Sequence, residues 1–284
     1  MDTHTIVEAG DAEAVDALIA EIYGPDAPAE IAASSQAGAP AHLLHVAAVS
    51  AEVGEPWAVL CVGAGSPASI HDRFALELSR ARADAIVVTG KILRDEPALR
   101  YLLAGGLDTL ASGLLDWRRR RLGKREPPTV LVLTSGAQID LGHPVFAPGG
   151  WARPLIYCAL AYVEELVARA GQRELEVRIV GAPERALSLA GALAFLRADA
   201  RIQARTIVLE AGPTTTAPCY AGSGPSVDEL ALSVFSGALD PASTLGAFVS
   251  PARARLRLRQ LGEHCVVEPS GRWCLSRWVP TIDP

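Results

Sequence analysis

Glu210 ends an apolar run and is followed at once by a Gly-Pro step, in the stretch TIVLEAGPTTTAPCY over residues 206–220. Residues 206–209 have the apolar, β-branched make-up of a buried strand. A carboxylate at the carboxyl end of such a strand faces the crevice where open α/β sheets bind ligands. Gly212 permits close backbone approach or an unusual φ, and Pro213 suits the first position of a helix, where its missing N–H costs nothing. Residues 214–219 would then be a short helix whose first amides, aided by the helix dipole, favour an anion. The chemistry suggested is a phosphate cradle over Ala211, Gly212, Pro213, Thr214 and Thr215, beside a carboxylate. A strand-to-helix turn with a capped end is the plainer reading of the same residues.

Other single residues carry weaker signals. Arg80 could pair with a phosphate bidentately or be an ordinary helix-surface arginine. Glu210 could face a ligand in that crevice or cap the helix that follows it. Lys91 could answer a phosphate as a point charge or be a solvated turn residue. His71 at a helix start is a proton donor or merely solvated. The run Arg118–Arg121 (118–121) reads as a solvated loop, with a phosphate-facing patch as the alternative. Cysteines 61, 158, 219, 265 and 274 have no CxxC and no zinc-site spacing, so they read as free thiols of a reducing cytosol and no metal is expected.

The elements that must hold these residues alternate. Strand-like runs lie at 42–50, 57–63, 85–90, 129–136, 154–159, 175–181 and 205–212. Helical patterns lie between them, including 70–83, 161–170, 185–198 and a short one from Pro97 to Gly106. Near-continuous apolar strands separated by helices predict a mostly parallel sheet covered on both faces. The tail from 254 alternates with period two, with turns expected at Gly262–Glu263 and Ser270–Gly271, which predicts an antiparallel C-terminal portion. Residues 1–40 read as an extension, with an amphipathic helix over 11–24 and then an Ala/Pro-rich linker; the main domain is expected over 41–284.

Composition excludes several classes. The 284 residues carry a formal charge of -6 with pI about 5.6, so nothing global recruits nucleic acid or an anionic membrane. No apolar run approaches the roughly 20 residues that span a bilayer, and the acidic start lacks a signal peptide's features. A cytoplasmic protein is expected.

Two longer stretches, 72–99 and 208–235, together resemble the reductase domain of bacterial riboflavin biosynthesis, a family of dihydrofolate-reductase-like fold. The matching residues are Arg80, Asp84–Ala85, Gly90, Asp95–Glu96–Pro97, Glu210–Thr214 and Asp228–Leu230, in the family's order. The resemblance covers about residues 42–279. It implies NADPH as hydride donor, with cofactor contacts at Ala48, Thr89, Gly90, Lys91, Ile92, Asp95, Ser135 and the 211–215 loop. It implies substrate contacts at Arg80 and Glu210, Glu210 also being the catalytic candidate. The implied substrate is a small molecule, a ribosylaminopyrimidinone phosphate, and the implied assembly is a homodimer, to which Trp273 and Trp278 could contribute. The zinc deaminase often fused to this reductase has no counterpart here, since neither His-x-Glu nor Pro-Cys-x-x-Cys occurs. Lys91 and Ile92 stand where the family carries threonine, and Val53 separates Glu52 from Gly54 in the first-strand motif. These departures keep two alternatives in view: a non-catalytic paralogue serving as a ligand-binding or dimeric scaffold, and a pterin- or folate-type reductase.

Overall fold

The structure is a computed structural model that describes residues 6–36, 38–50, 56–61, 66–101, 108–147, 151–183, 187–240, 243–247 and 249–281. Its strands are β1 (His42–Ser50), β2 (Ala58–Leu60), β3 (Ala85–Thr89), β4 (Thr129–Leu133), β5 (Arg153–Ala159), β6 (Arg178–Ala182), β7 (Thr206–Leu209), β8 (Glu229–Ser236), β9 (Thr244–Ala247), β10 (Leu258–Glu268) and β11 (Gly271–Pro280). They form one sheet in the order β10-β11-β8-β1-β7-β3-β4-β5-β6, with β2 on β1 and β9 on β2. From β8 through β6 every neighbouring pair is parallel, while β11 joins β8 and β10 joins β11 antiparallel. This is the mostly parallel sheet with an antiparallel C-terminal portion that the patterning predicts.

The helices are α1 (Ala12–Tyr23), α2 (Ala27–Ser35), α3 (Ile70–Arg82), α4 (Gly90–Asp95), α5 (Asp108–Leu122), α6 (Val163–Gln172), α7 (Leu189–Ala198), α8 (Pro213–Ala221) and α9 (Pro251–Arg255). They cover both faces. Leu193 and Leu196 of α7 pack with Tyr220 of α8 and Trp278 of β11 on one side. Leu166 of α6 packs with Ile86, Val130 and Ile156 on the other. Central strand residues such as Leu43, Val87 and Val208 are fully buried, as doubly covered parallel strands require.

Several expectations are corrected. The 25–40 segment is not a plain linker: it holds α2, started by Pro28 in the first turn and anchored by the buried Ile31. α1 and α2 pack on this chain's own α3, α5 and β11 through Ile19, Ile22, Phe74, Trp117 and Leu275. A Cβ at Gly113 of α5 would collide with the carbonyl oxygen of Ala9, so the N-terminal segment sits directly against the helix backbone. The arginine run belongs to α5 rather than to a loop. Arg118 is buried and donates to the carbonyls of Ala81, Ala83 and Glu126, each at 2.7 Å. Arg120 and Arg121 pair with Glu13 and Asp16 of α1. The expected turn at 262–263 is a bulge between Gln260 and Gly262 within the continuous strand β10. Residues 97–101 form no helix, and residues 102–106 of the helix expected there, like Glu52 and Gly54, lie outside the described residues.

The cysteine expectation fails in part. Cys61, Cys158 and Cys219 are not disulfide-bonded, but Cys265 and Cys274 form a disulfide. The two are directly opposite across the β10–β11 ladder, a pairing visible only once the register is known. The bridge closes a loop of sequence separation 9. Loop-closure entropy for so short a ring makes reduction cost about 2–3 kcal/mol of unfolding free energy. Urea titrations with and without a dithiol reductant measure this, and Cys274→Ser should be insensitive to the reductant.

Candidate active site

The carboxyl ends of β1, β7, β3 and β4 lie side by side, and Glu210 follows β7 directly, its amide continuing the ladder to Val87 O at 3.0 Å. α3 brings the cation. Ser69 caps its start by accepting from the Asp72 amide at 3.0 Å, and Phe74 and Leu78 bury one face. That orientation turns Arg80 toward the end of β7. Its Nε donates to Glu210 Oε1 at 2.9 Å and its Nη2 to Oε2 at 2.8 Å. Nη1 donates to Glu77 Oε1 at 3.1 Å, one helical turn back. The ring of Tyr101 covers the guanidinium at 4.7 Å, and its hydroxyl donates to Glu210 Oε2 at 3.3 Å.

This cluster sets the local electrostatics. Burial alone would lower the Arg80 pKa, but the charge and hydrogen bonds of Glu210, with Glu77, raise it beyond the usual arginine value. Burial and then the Glu210 charge push the Tyr101 phenol well above its ordinary range. Burial, again followed by Glu210, raises the Glu96 carboxyl to about 7, against a lowering from Arg80. Glu96 is held in place through its backbone, whose carbonyl meets His143 Nε2 at 3.0 Å and the Leu99 amide at 3.0 Å. Asp72 is likewise raised, mainly by burial. His45, on β1, is buried and pushed down to about 3 by that burial, so it is neutral, and its Nδ1 meets the Tyr220 hydroxyl at 2.6 Å.

An inner cavity of about 150 Å³ gathers Ala48, Arg80, Ile92, Glu210, Ala211 and Gly212 from the expected site residues. Glu96, His45 and Asp72 line it as well. A wider cleft of about 540 Å³ adjoins it, sharing Ala48, Arg80 and Glu96. The remaining expected residues lie around this centre. Thr89 caps α4, its Oγ1 accepting from the Ile92 amide at 3.4 Å. Gly90 opens α4 where a Cβ would stand 2.8 Å from Thr134 Oγ1, so glycine lets the ends of β3 and β4 approach. Ser135 is exposed just past β4. Lys91 and Asp95 pair with each other on the exposed face of α4, away from the inner cavity. Pro213 is buried as the first residue of α8, Thr215 bonds back to Gly212 O at 3.0 Å, and Thr214 faces a separate groove with Ser223 and Arg253.

Gly212 tests whether a dinucleotide fits. Its φ is -63°, which any residue adopts, and a Cβ built there would meet no atom within 4 Å. Neither backbone conformation nor packing requires glycine. The empty space beside it, at the start of α8, suits a group that must come close to the main chain.

His71 is neither solvated nor at the inner cavity. It is buried, its Nδ1 meets Glu268 Oε1 of β10 at 2.5 Å, and its ring stacks on His264. The residues that sequence reasoning missed are Glu96, Tyr101 and His45. Glu96 has a signal in the Asp-Glu-Pro motif, where the resemblance points to Asp95; Tyr101 and His45 have none, since their roles arise from contacts distant in sequence.

No family model matches the chain, and no curated protein matches it in sequence. In fold it is similar to a pyrimidine reductase-like protein of Corynebacterium diphtheriae, at 20% identity and a TM-score of 0.62, over 94% of this chain and 99% of that one. It is also similar to RibD of Acinetobacter baumannii, at 18% identity and a TM-score of 0.55, over 85% of this chain and 58% of that one. The chain thus spans little more than half the length of that second protein. The likeness in fold agrees with the family resemblance carried by 72–99 and 208–235. Among the described residues, no helix is long and apolar enough to cross a membrane.

Proposed function

We propose that the chain is an NADPH-dependent reductase of the riboflavin-pathway type, acting on a ribosylaminopyrimidine or a similar heterocycle. The observation that carries this reading is the convergence of Glu210, Arg80 and Glu96 in one cavity beside the open rim at Gly212. The family resemblance and the shared fold support it.

The rim at Ala211 and Gly212, at the start of α8, would hold the dinucleotide's phosphates, and Ala48 and Ile92 would flank the reactive end. Bound NADPH supplies a hydride. Hydride addition to a C=N or C=O carbon leaves an electron pair on the heteroatom, which must take a proton. Glu96, with its carboxyl raised to about 7, holds a proton near neutrality and is the donor in this reading. Glu210, fixed on two sides by Arg80, orients the ring by accepting its hydrogen bonds.

Titration of tryptophan fluorescence with NADPH, with NADH as control, tests the cofactor assignment. Gly212→Val should leave the fold intact. It should weaken NADPH by roughly 1–3 kcal/mol, about fivefold to 150-fold in Kd, because a branched side chain enters a fitted contact. Unchanged affinity in this variant counts against the cradle. Oxidation of NADPH by purified protein with the aminopyrimidinone phosphate tests the reaction. One observation favours a second reading, a scaffold that binds without turnover: Lys91 and Asp95 are engaged with each other at the surface. Ligand binding without NADPH oxidation selects it.

A further inference from the structure

Arg80 is the one arginine or lysine lining the inner cavity among the described residues, and three of its five N–H donors are already engaged. Two face the Glu210 oxygens, a third faces Glu77, and the Tyr101 ring covers the guanidinium plane. The side chains of Arg80 and Glu210 are only 6% and 11% exposed. Three carboxyl groups, those of Asp72, Glu96 and Glu210, line the same space. A phosphate entering here would have to pull Arg80 from a buried bidentate pair and stand against the Glu210 carboxylate that the pair leaves behind. Like charges so close are repelled strongly where water is excluded.

We propose that the inner cavity takes a neutral heterocycle rich in N–H groups. In this arrangement Arg80 is a positioning residue for Glu210, not a ligand of a substrate phosphate. The proposal rests on the substrate-site reading above and departs from the role that the family resemblance implies for Arg80. A carboxylate has about four lone-pair sites. Arg80 occupies one on each oxygen, and Tyr101 a further one on Oε2, which leaves Glu210 able to accept from a ring N–H. The cavity's volume of about 150 Å³ is that of an engineered protein cavity known to hold one six-membered ring. An anionic tail on the ligand would extend into the outer cleft, where Arg73 and Arg100 line an exposed mouth. Charge pairing in such a place is weak and screened by salt.

The test compares a ribosylaminopyrimidinone with its 5′-phosphate, titrated by tryptophan fluorescence against the wild type and Arg80→Lys at two salt concentrations. Both ligands should bind with Kd values within about tenfold of each other, the gap narrowing at high salt. Arg80→Lys should weaken both by the same factor, because a point charge cannot hold Glu210 on two sides. Inorganic phosphate should not displace the unphosphorylated ligand from wild-type protein, a measurement that needs no variant to fold. A phosphorylated ligand bound a hundredfold more tightly, with the preference lost in Arg80→Lys, overturns the proposal and leaves the reductase reading standing. Displacement by inorganic phosphate overturns it too. If neither ligand binds, the substrate assignment fails and the proposal fails with it.

Discussion

Glu96→Gln lowers turnover at neutral pH by about 10²- to 10⁴-fold, the usual contribution of a positioned general acid, and leaves NADPH affinity nearly unchanged. The acid's strength comes from its surroundings. Burial disfavours the ionised carboxyl, the Glu210 charge adds to that, and Arg80 only partly opposes them, so the carboxyl is raised to about 7. The proton is present below that value and lost above it. Wild-type turnover therefore falls as pH rises through about 7, and the variant, which has no proton to lose there, lacks this limb. Glutamine matches glutamate in size, so the cavity keeps its shape and the loss reports on proton transfer. Single-turnover NADPH oxidation, measured between about pH 6 and 8, reads both effects, because acid–base groups show themselves in the pH dependence of rate. A variant that turns over at the wild-type rate with the same alkaline limb would remove Glu96 from the mechanism.

The same residues mark how far the sequence can be read. Apolar runs such as 85–89 and 206–209 declare buried parallel strands because no solvent-facing alternation interrupts them. The turn from Glu210 through Pro213 is equally legible, since strand end, glycine and proline follow one another within four positions. What Arg80 does is not legible. Its partner lies 130 residues away, and an arginine committed to a carboxylate looks like one awaiting a phosphate. Arg118 misleads in the same way: within a run of four arginines it reads as solvated, yet its donors satisfy carbonyls at the end of α3 and beyond α5. Helix α2 has weak periodicity and depends on tertiary burial of Ile31 and Ala27. The glycine at 262 announces a chain break that turns out to be a bulge. In each case the missing information is which distant surface the residue meets.

Glu229→Gln costs about 3–5 kcal/mol of folding stability, the expected result of removing one partner from a buried charge network. Glu229 is 1% exposed. Its oxygens accept from Arg82 Nη1 and Nη2, both at 2.7 Å, and from Arg277 Nε at 3.0 Å, and Oε2 meets His42 Nε2 at 3.2 Å. Without the carboxylate, two buried guanidiniums would face each other with only the half-exposed Glu30 left to pair with Arg277. The network also ties α2 to the sheet, because Arg82 donates to Ser35 Oγ and Arg277 to Glu30. Burial alone would raise the Glu229 carboxyl, but the charge and hydrogen bonds of Arg82, with His42 and Arg277, outweigh it and hold the pKa well below the usual range. A carboxyl depressed in the folded state stabilises above its unfolded pKa of about 4.3, and the contribution is lost as pH falls through the folded value. The gap in stability between wild type and variant should therefore be full at neutral pH and shrink progressively below about pH 4. Urea unfolding across that range measures it. Arg82 stands two residues from Arg80 on α3, so the network that anchors this helix also fixes the cation that positions Glu210. Loss of the network should weaken ligand binding at the candidate site even where the variant remains folded. A change below about 1 kcal/mol, the scale of an exposed pair, would mean that these charges do not depend on one another.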